Sequence, residues 1–291
     1  MSATKEVIAA DLWVPEGPAV GPDGTVYFTE QTKGRVSVLT ASGAEEYAYT
    51  GGAANSCVVG RDGDIYVCQN GGVVDSWRSS DPRPPGIQRV DAAGVVTTIR
   101  TEVGGTTLAA PNDLAFSPTG GLYFTDPAQA FDLGNPLQTG ALYRVGAGSE
   151  DIVHYVGGVY CNGLAFDNVG NLFWVESYTR RLLALTAHGE ASVLCTLPEG
   201  HTPDGFAIAE DGRFFIATCG SGAIDVVAPD GELLTSIILD DIANPSNCAF
   251  DGSTLIITDF SRDYAQKDGS GRLWRLETDA IGVTQTYGFV N

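Results

Sequence analysis

The chain has 291 residues, 43% of them hydrophobic, with 37 glycines, 14 prolines and a formal net charge of −20. That length supports one large core within range of a single closed β architecture. The charge excludes a nucleic-acid surface, which needs clustered Lys and Arg, and no apolar stretch approaches the ~20 residues that span a bilayer.

The N-terminus, "MSATKEVIAADLW", has no apolar h-region and no small-residue cleavage site, so it does not read as a secretory signal. Cys57, Cys68, Cys161, Cys195, Cys219 and Cys248 form no CxxC pair and no zinc-like spacing with the three histidines. Several lie in apolar runs such as "FFIATCG" and "SVLCTL". Buried, reduced thiols and a cytoplasmic protein are the expectation.

In chain order, the first recurring phrase is "EGPAVGPDGTVYFTE" from Glu16. It returns as "NSCVVGRDGDIYVCQ" from Asn55, "NDLAFSPTGGLYFTD" from Asn112, "NGLAFDNVGNLFWVE" from Asn162 and "DGFAIAEDGRFFIAT" from Asp204. A shorter copy, "SNCAFDGSTLIITD", starts at Ser246. In the first five copies an aromatic (Tyr27, Tyr66, Tyr123, Phe173, Phe215) falls eleven residues after the opening polar residue. Successive copies start 39, 57, 50, 42 and 42 residues apart. Between them lie further short strands, among them "GRVSVLT", "GALYRVG" and "GRLWRLET", bounded by turn residues. Four short strands per unit of ~45 residues is the pattern of a propeller blade.

The expectation is therefore an all-β, six-bladed β-propeller, with residues 1–291 as one domain. Both "EVIAADLWV" and "VTQTYGFV" are plausible partners for the last blade. Inserts at 70–86 and 127–139 are expected as loops over one face, where Trp77 and Phe131 either wall a pocket or pack the loops. The acids closing the second strands, Glu30, Asp126, Glu176 and Asp259, recur with the repeat and read as structural bonds between blades.

In a propeller, the residue leading into each innermost strand sits near the tunnel mouth. Six oxygen-bearing side chains are thus expected in a ring: Glu16, Asn55, Asn112, Asn162, Asp204 and Ser246. Asn and Asp also favour loop corners on their own account, but Glu16 is a poor turn residue. Two carboxylates with two or more amides on one axis describe a hard-cation site, which Ca2+ suits best. Mg2+, Mn2+, Fe2+ and Zn2+ are the alternatives; zinc prefers His or Cys.

"PEGP" at 15–18, "PNDL" at 111–114, "CNGLAF" at 161–166 and "PDGF" at 203–206 together resemble the blade starts of the SMP-30/gluconolactonase/LRE family. The resemblance runs from about residue 12 to 276 and is closest to a calcium-dependent lactonase branch. It implies a six-bladed propeller with a divalent cation on the axis and a lactone-opening hydrolase. Glu16, Asn162 and Asp204 are implied as direct metal ligands, with Asn112 as a further ligand or substrate-positioning group. Asn55 lines the same mouth, and Asp113 stands close by. Gly205 departs from members with Ser after the metal-binding Asp, which bears on substrate identity.

The chemistry expected is metal polarisation of an ester carbonyl, with Asp204 or Asp113 assisting water attack. Arg78, in the first insert, and His201 are named as substrate-binding candidates, though a loop-surface role for His201 is favoured. No GxSxG, HExxH, P-loop or helix-opening GxGxxG is present. A small-molecule lactone is the expected partner, with no nucleic acid and no membrane. The alternatives are hydrolysis of another ester or phosphotriester on the same metal, a non-catalytic binding propeller with structural calcium, or metal-free chemistry of the strictosidine synthase-like kind.

Overall fold

The computed structural model describes residues 4–132, 140–146, 159–185, 190–261 and 269–290, with the backbone of 151–155. The chain folds as a six-bladed β-propeller of six four-stranded antiparallel sheets. The innermost strands, in chain order, are Pro15–Val20, Ala54–Val59, Leu114–Phe116, Cys161–Phe166, Thr202–Ile208 and Pro245–Asp251. Each opens within two residues of one of the six recurring polar residues. The second strands pair antiparallel with them, so Pro15 faces Glu30 and Pro245 faces Asp259.

The N-terminal strand Lys5–Leu12 completes the last blade, antiparallel to Gly271–Glu277. Of the two terminal candidates, the C-terminal one takes a different course. Residues 281–290 cross the disc at the far end of the inner strands. Val283 N–H bonds the Ile208 carbonyl at 2.9 Å, Arg61 N–H bonds that of Gly288 at 2.8 Å, and Val290 N–H bonds the Tyr66 hydroxyl at 3.2 Å. Two glycines fit this segment to a close crossing. A Cβ at Gly282 would lie 2.2 Å from Phe250, and one at Gly288 would lie 2.1 Å from the Phe116 ring.

Each pair of neighbouring blades encloses its own apolar cluster. The aromatic eleven residues into the repeat serves these interfaces. Tyr66 meets Phe116 of the next blade, Tyr123 meets Phe166, Phe173 meets Phe214 and Phe215 meets Phe250, with ring centroids 5.3, 4.9, 5.0 and 5.1 Å apart. All four are edge-on contacts, a geometry that adds about 0.5–1.5 kcal/mol beyond burial.

The acids that close the second strands tie down the crossovers between blades. Glu30 accepts the Trp13 N–H at 3.0 Å, Asp126 accepts those of Ala109 and Ala110, and Asp259 accepts that of Asn244 at 2.8 Å. Each crossover is thereby fixed just before the recurring polar residue of an inner strand. Glu176 instead takes the Thr179 hydroxyl at 2.6 Å. The first insert carries a small hairpin, Val73–Val74 with Trp77–Arg78. Trp77 packs there on Val14, Ala53 and Val74. Of the second insert, residues 133–139 lie outside the described residues.

Candidate active site

The register of the inner strands slips just after the recurring polar position, between Glu16 and Ala19, Ala54 and Cys57, Cys161 and Leu164, and Pro203 and Phe206. An extra residue in one strand bends it and re-aims a side chain. In these four strands the slip coincides with the polar residue whose side chain lines the cavity. Glu16, Asn55, Asn112, Asn162 and Asp204 together form the floor of a cavity of about 350 Å3 at the mouth of the tunnel. Glu16, Asn55, Asn112 and Asn162 are buried, while Asp204 is more open to the cavity.

Hydroxyl groups lock these positions. Thr29 Oγ1 donates to the Asn55 carbonyl at 2.7 Å, joining the first two inner strands. Ser177 Oγ accepts from Asn162 Nδ2 at 3.1 Å and donates to the Pro203 carbonyl at 2.7 Å. The Tyr160 hydroxyl takes Asn112 Nδ2 at 3.4 Å. With their amide nitrogens so engaged, Asn112 and Asn162 each offer a carbonyl oxygen as the remaining acceptor.

Directly beneath lies a second ring, one residue further along each inner strand: Gly17, Ser56, Asp113, Gly163, Gly205 and Asn247. Asp113 Oδ1 accepts from Ser56 Oγ at 2.6 Å and from the Leu114 N–H at 2.9 Å, and Oδ2 accepts from Asn247 Nδ2 at 3.4 Å. The glycines make room for this plug. A Cβ at Gly17 would meet Ser56 at 2.2 Å, and one at Gly205 would meet the Asn247 amide at 2.0 Å. Gly205 is therefore tied to Asn247, which fills the space a larger side chain at 205 would occupy.

The electrostatics are one-sided. Burial pushes the Glu16 carboxyl well up, and the neighbouring Asp204 and Asp113 push it further. Burial takes the Asp204 carboxyl up to about 7, with Asp113 adding to the rise and hydrogen bonds from Cys219 and Asn162 opposing it. No Lys, Arg or His lines the cavity among the described residues. Also among these, no three His, Cys, Asp or Glu side chains converge closely enough to hold a metal by themselves. A cation here thus depends on the amides as well as the two carboxylates. That all-oxygen donor set, with uncompensated negative charge, fits a hard divalent cation.

Four candidates read from the sequence do not line the cavity. Ser246 is fully buried and its hydroxyl meets the Pro15 carbonyl at 3.2 Å and Thr258 Oγ1 at 2.9 Å, so it closes the last blade on the first. Arg78 is exposed and donates to the carbonyls of Asp75 and Trp77 in its own hairpin, not to the cavity. His201 Nδ1 pairs with buried Asp225 at 2.8 Å, which holds the ring on its own blade and out of the cavity lining. Asp113 sits under the floor and does not line the cavity.

The structure adds residues that the repeat did not single out. Cys219 lines the cavity, and its thiol donates to Asp204 Oδ2 at 3.3 Å. Tyr160, held at φ +53°, and Phe131 stand in the wall. Tyr160 immediately precedes the "CNGLAF" phrase, so its position in the repeat was the available signal. Cys219 closes a second strand and could have been found the same way.

Residues 14–261 match the family model described as the SMP-30/Gluconolactonase/LRE-like region. The chain is 27% identical over 308 aligned residues to the gluconolactonase of Zymomonas mobilis, covering 89% of this chain and 79% of that one. The fold superposes with a TM-score of 0.76 on a gluconolactonase from Xanthomonas campestris, at 22% identity over 94% of this chain and 89% of that one. It superposes with a TM-score of 0.74 on regucalcin, a calcium-binding protein from Agrobacterium tumefaciens, at 17% identity over 99% of this chain and 98% of that one. The two superpositions establish the propeller, and the family match spans most of it: the chain belongs to the SMP-30/gluconolactonase/LRE-like family.

Proposed function

We propose that the protein is a metal-dependent lactonase that opens a small lactone ring. The observation that carries this reading is the cavity floor, where Glu16 and Asp204 meet the amides of Asn112 and Asn162 with no cationic side chain among the described residues to balance them. Family membership and the likeness to the Zymomonas mobilis gluconolactonase support a lactone as the substrate class. The donor chemistry favours Ca2+, in keeping with the calcium-binding regucalcin that shares the fold.

Glu16, Asn112, Asn162 and Asp204 are the residues to hold the ion. When bound, such an ion supplies Lewis-acid polarisation of a carbonyl and stabilises the negative charge that develops on its oxygen. Asp204 is the group to take a proton from the attacking water, since it is the floor carboxylate more open to the cavity. The water oxygen bonds to the acyl carbon, the ring C–O bond breaks, and the ring oxygen leaves with a proton as the hydroxyl of a hydroxy acid. Asn55 and Asn112 line the floor where they can orient the ring ester. Asp113, beneath it, acts through the Ser56 and Asn247 hydrogen bonds that fix the floor strands.

Acid release from a panel of γ- and δ-lactones, followed before and after EDTA, tests this reading. The expected result is turnover that EDTA abolishes and added Ca2+ restores. Turnover indifferent to EDTA removes the metal from the account. An absence of turnover with metal bound points to another ester or to a binding propeller.

A further inference from the structure

The cavity is built in two tiers. Its floor is the ring of oxygen-bearing side chains, whereas its upper wall carries Val73, Val74, Ala109, Ala110, Phe131 and Tyr160. Phe131 is 43% exposed over this space, unusual for so large an apolar ring. It is nevertheless held in place. The Tyr178 hydroxyl accepts the Asp132 N–H at 2.8 Å and Gln129 Nε2 at 3.3 Å, which pins both sides of residue 131. The Phe131 ring centroid lies 5.2 Å from Tyr160 and 5.1 Å from Tyr178. Tyr160 in turn adopts a backbone conformation that non-glycine residues seldom enter, a strain that recurs at binding sites.

Polar groups of the upper wall are largely committed elsewhere. Asn70 Oδ1 accepts the N–H groups of Gly72 and Val73, and its Nδ2 donates to the Val73 carbonyl. Gln129 donates to Tyr178, and Asn244 Oδ1 accepts the Gly220 N–H at 2.7 Å. Among the described residues, Gln31, Thr202 and the carboxylate of Asp75 are the other polar side chains of this wall, few to meet the hydroxyls of a sugar ring. A polyhydroxylated ring placed against this wall gives up water at several positions for few replacements. An alkyl or aryl group, by contrast, gains from contact with a preformed aromatic surface.

We propose that the cavity selects a lactone bearing an apolar substituent, with the ring ester on the floor and the substituent against Phe131 and Tyr160. This rests on the lactonase reading above and names its substrate class. Each methylene buried against the wall is worth roughly three- to fourfold in selectivity.

The test uses the Ca2+-loaded protein and its Phe131→Ala and Phe131→Leu variants. For each, kcat/KM is measured on γ-butyrolactone, γ-nonanolactone and δ-gluconolactone. The wild type is expected to prefer γ-nonanolactone over both others. In Phe131→Ala the nonanolactone/butyrolactone ratio is expected to fall about tenfold, with partial recovery in Phe131→Leu. A wild-type preference for δ-gluconolactone, or a ratio that Phe131→Ala leaves unchanged, overturns the proposal.

Binding of 2-pentylcyclopentanone, a cyclic carbonyl that cannot be hydrolysed, is measured in parallel by ligand-observed NMR. Binding that weakens in Phe131→Ala supports the apolar subsite even if no lactone turns over, in which case only the lactonase reading fails. An absence of binding to the wild type overturns the subsite itself.

Discussion

Asp204 is asked to be both a floor carboxylate facing Glu16 and a proton acceptor. Replacing it by Asn removes the base and one charge while preserving shape. Asp204→Asn is expected to lower kcat by at least ~100-fold. The metal-free protein should melt at the same temperature or higher, because a buried like-charge contact is relieved. Near-wild-type turnover removes Asp204 from the mechanism. The second ring makes a separate residue-scale prediction. Gly205→Ser puts a Cβ onto the Asn247 amide, which should cost about 1–3 kcal/mol of stability. Asn247→Gly should restore much of that loss in a double-mutant cycle measured by urea unfolding; simple additivity contradicts the coupling. The polar residues of the floor were legible because they recur in one register. The reason for Gly205 was not, since Asn247 comes from another inner strand and only the closed ring brings the two together.

At the scale of strands and crossovers, the device that repeats is an acid, thirteen or fourteen residues after the polar mark, that clamps the incoming chain at Glu30, Asp126 and Asp259. Glu30 shows it best. Burial by itself would raise its carboxyl, but hydrogen bonds from Arg35, Ser37 and the Trp13 backbone outweigh this and hold it below the ordinary value of 4.5. A carboxyl depressed on folding stabilises the protein above its unfolded pKa and loses that contribution as pH falls through the folded one. Glu30→Gln is thus expected to lower stability by about 2–4 kcal/mol at pH 7. The gap from wild type should narrow as the pH is brought below about 4. Urea unfolding at several pH values measures this, and a pH-independent gap contradicts it. The recurrence of these acids marked them as structural. Their partners are backbone N–H groups, which carry no residue identity, so the clamp itself could not be read. Ser246 shows the converse limit: it keeps the register of the repeat, but its short side chain reaches the neighbouring strands before it reaches the axis.

For the whole molecule, six interfaces each packed by an aromatic contact or a small apolar cluster make a rigid disc with a tunnel whose two ends differ. One end carries the oxygen floor. The other is crossed by residues 281–290, a course no repeat predicted because that segment is a copy of nothing. The positions of Arg78 and His201, outside the cavity lining, were not legible for a related reason: one stands in an insert and the other in a connection, where the periodicity of the blades gives no height or direction. Fold and floor were readable from periodicity, whereas the wall depended on how inserts pack.

The central claim is that the floor holds a divalent cation through Glu16, Asn112, Asn162 and Asp204. Calorimetric titration of Ca2+ into EDTA-stripped protein tests it most directly, with Glu16→Gln measured alongside. The account predicts about one ion per chain for the wild type and an affinity at least ~100-fold weaker in the variant. No binding to the wild type, or equal binding in Glu16→Gln, contradicts it.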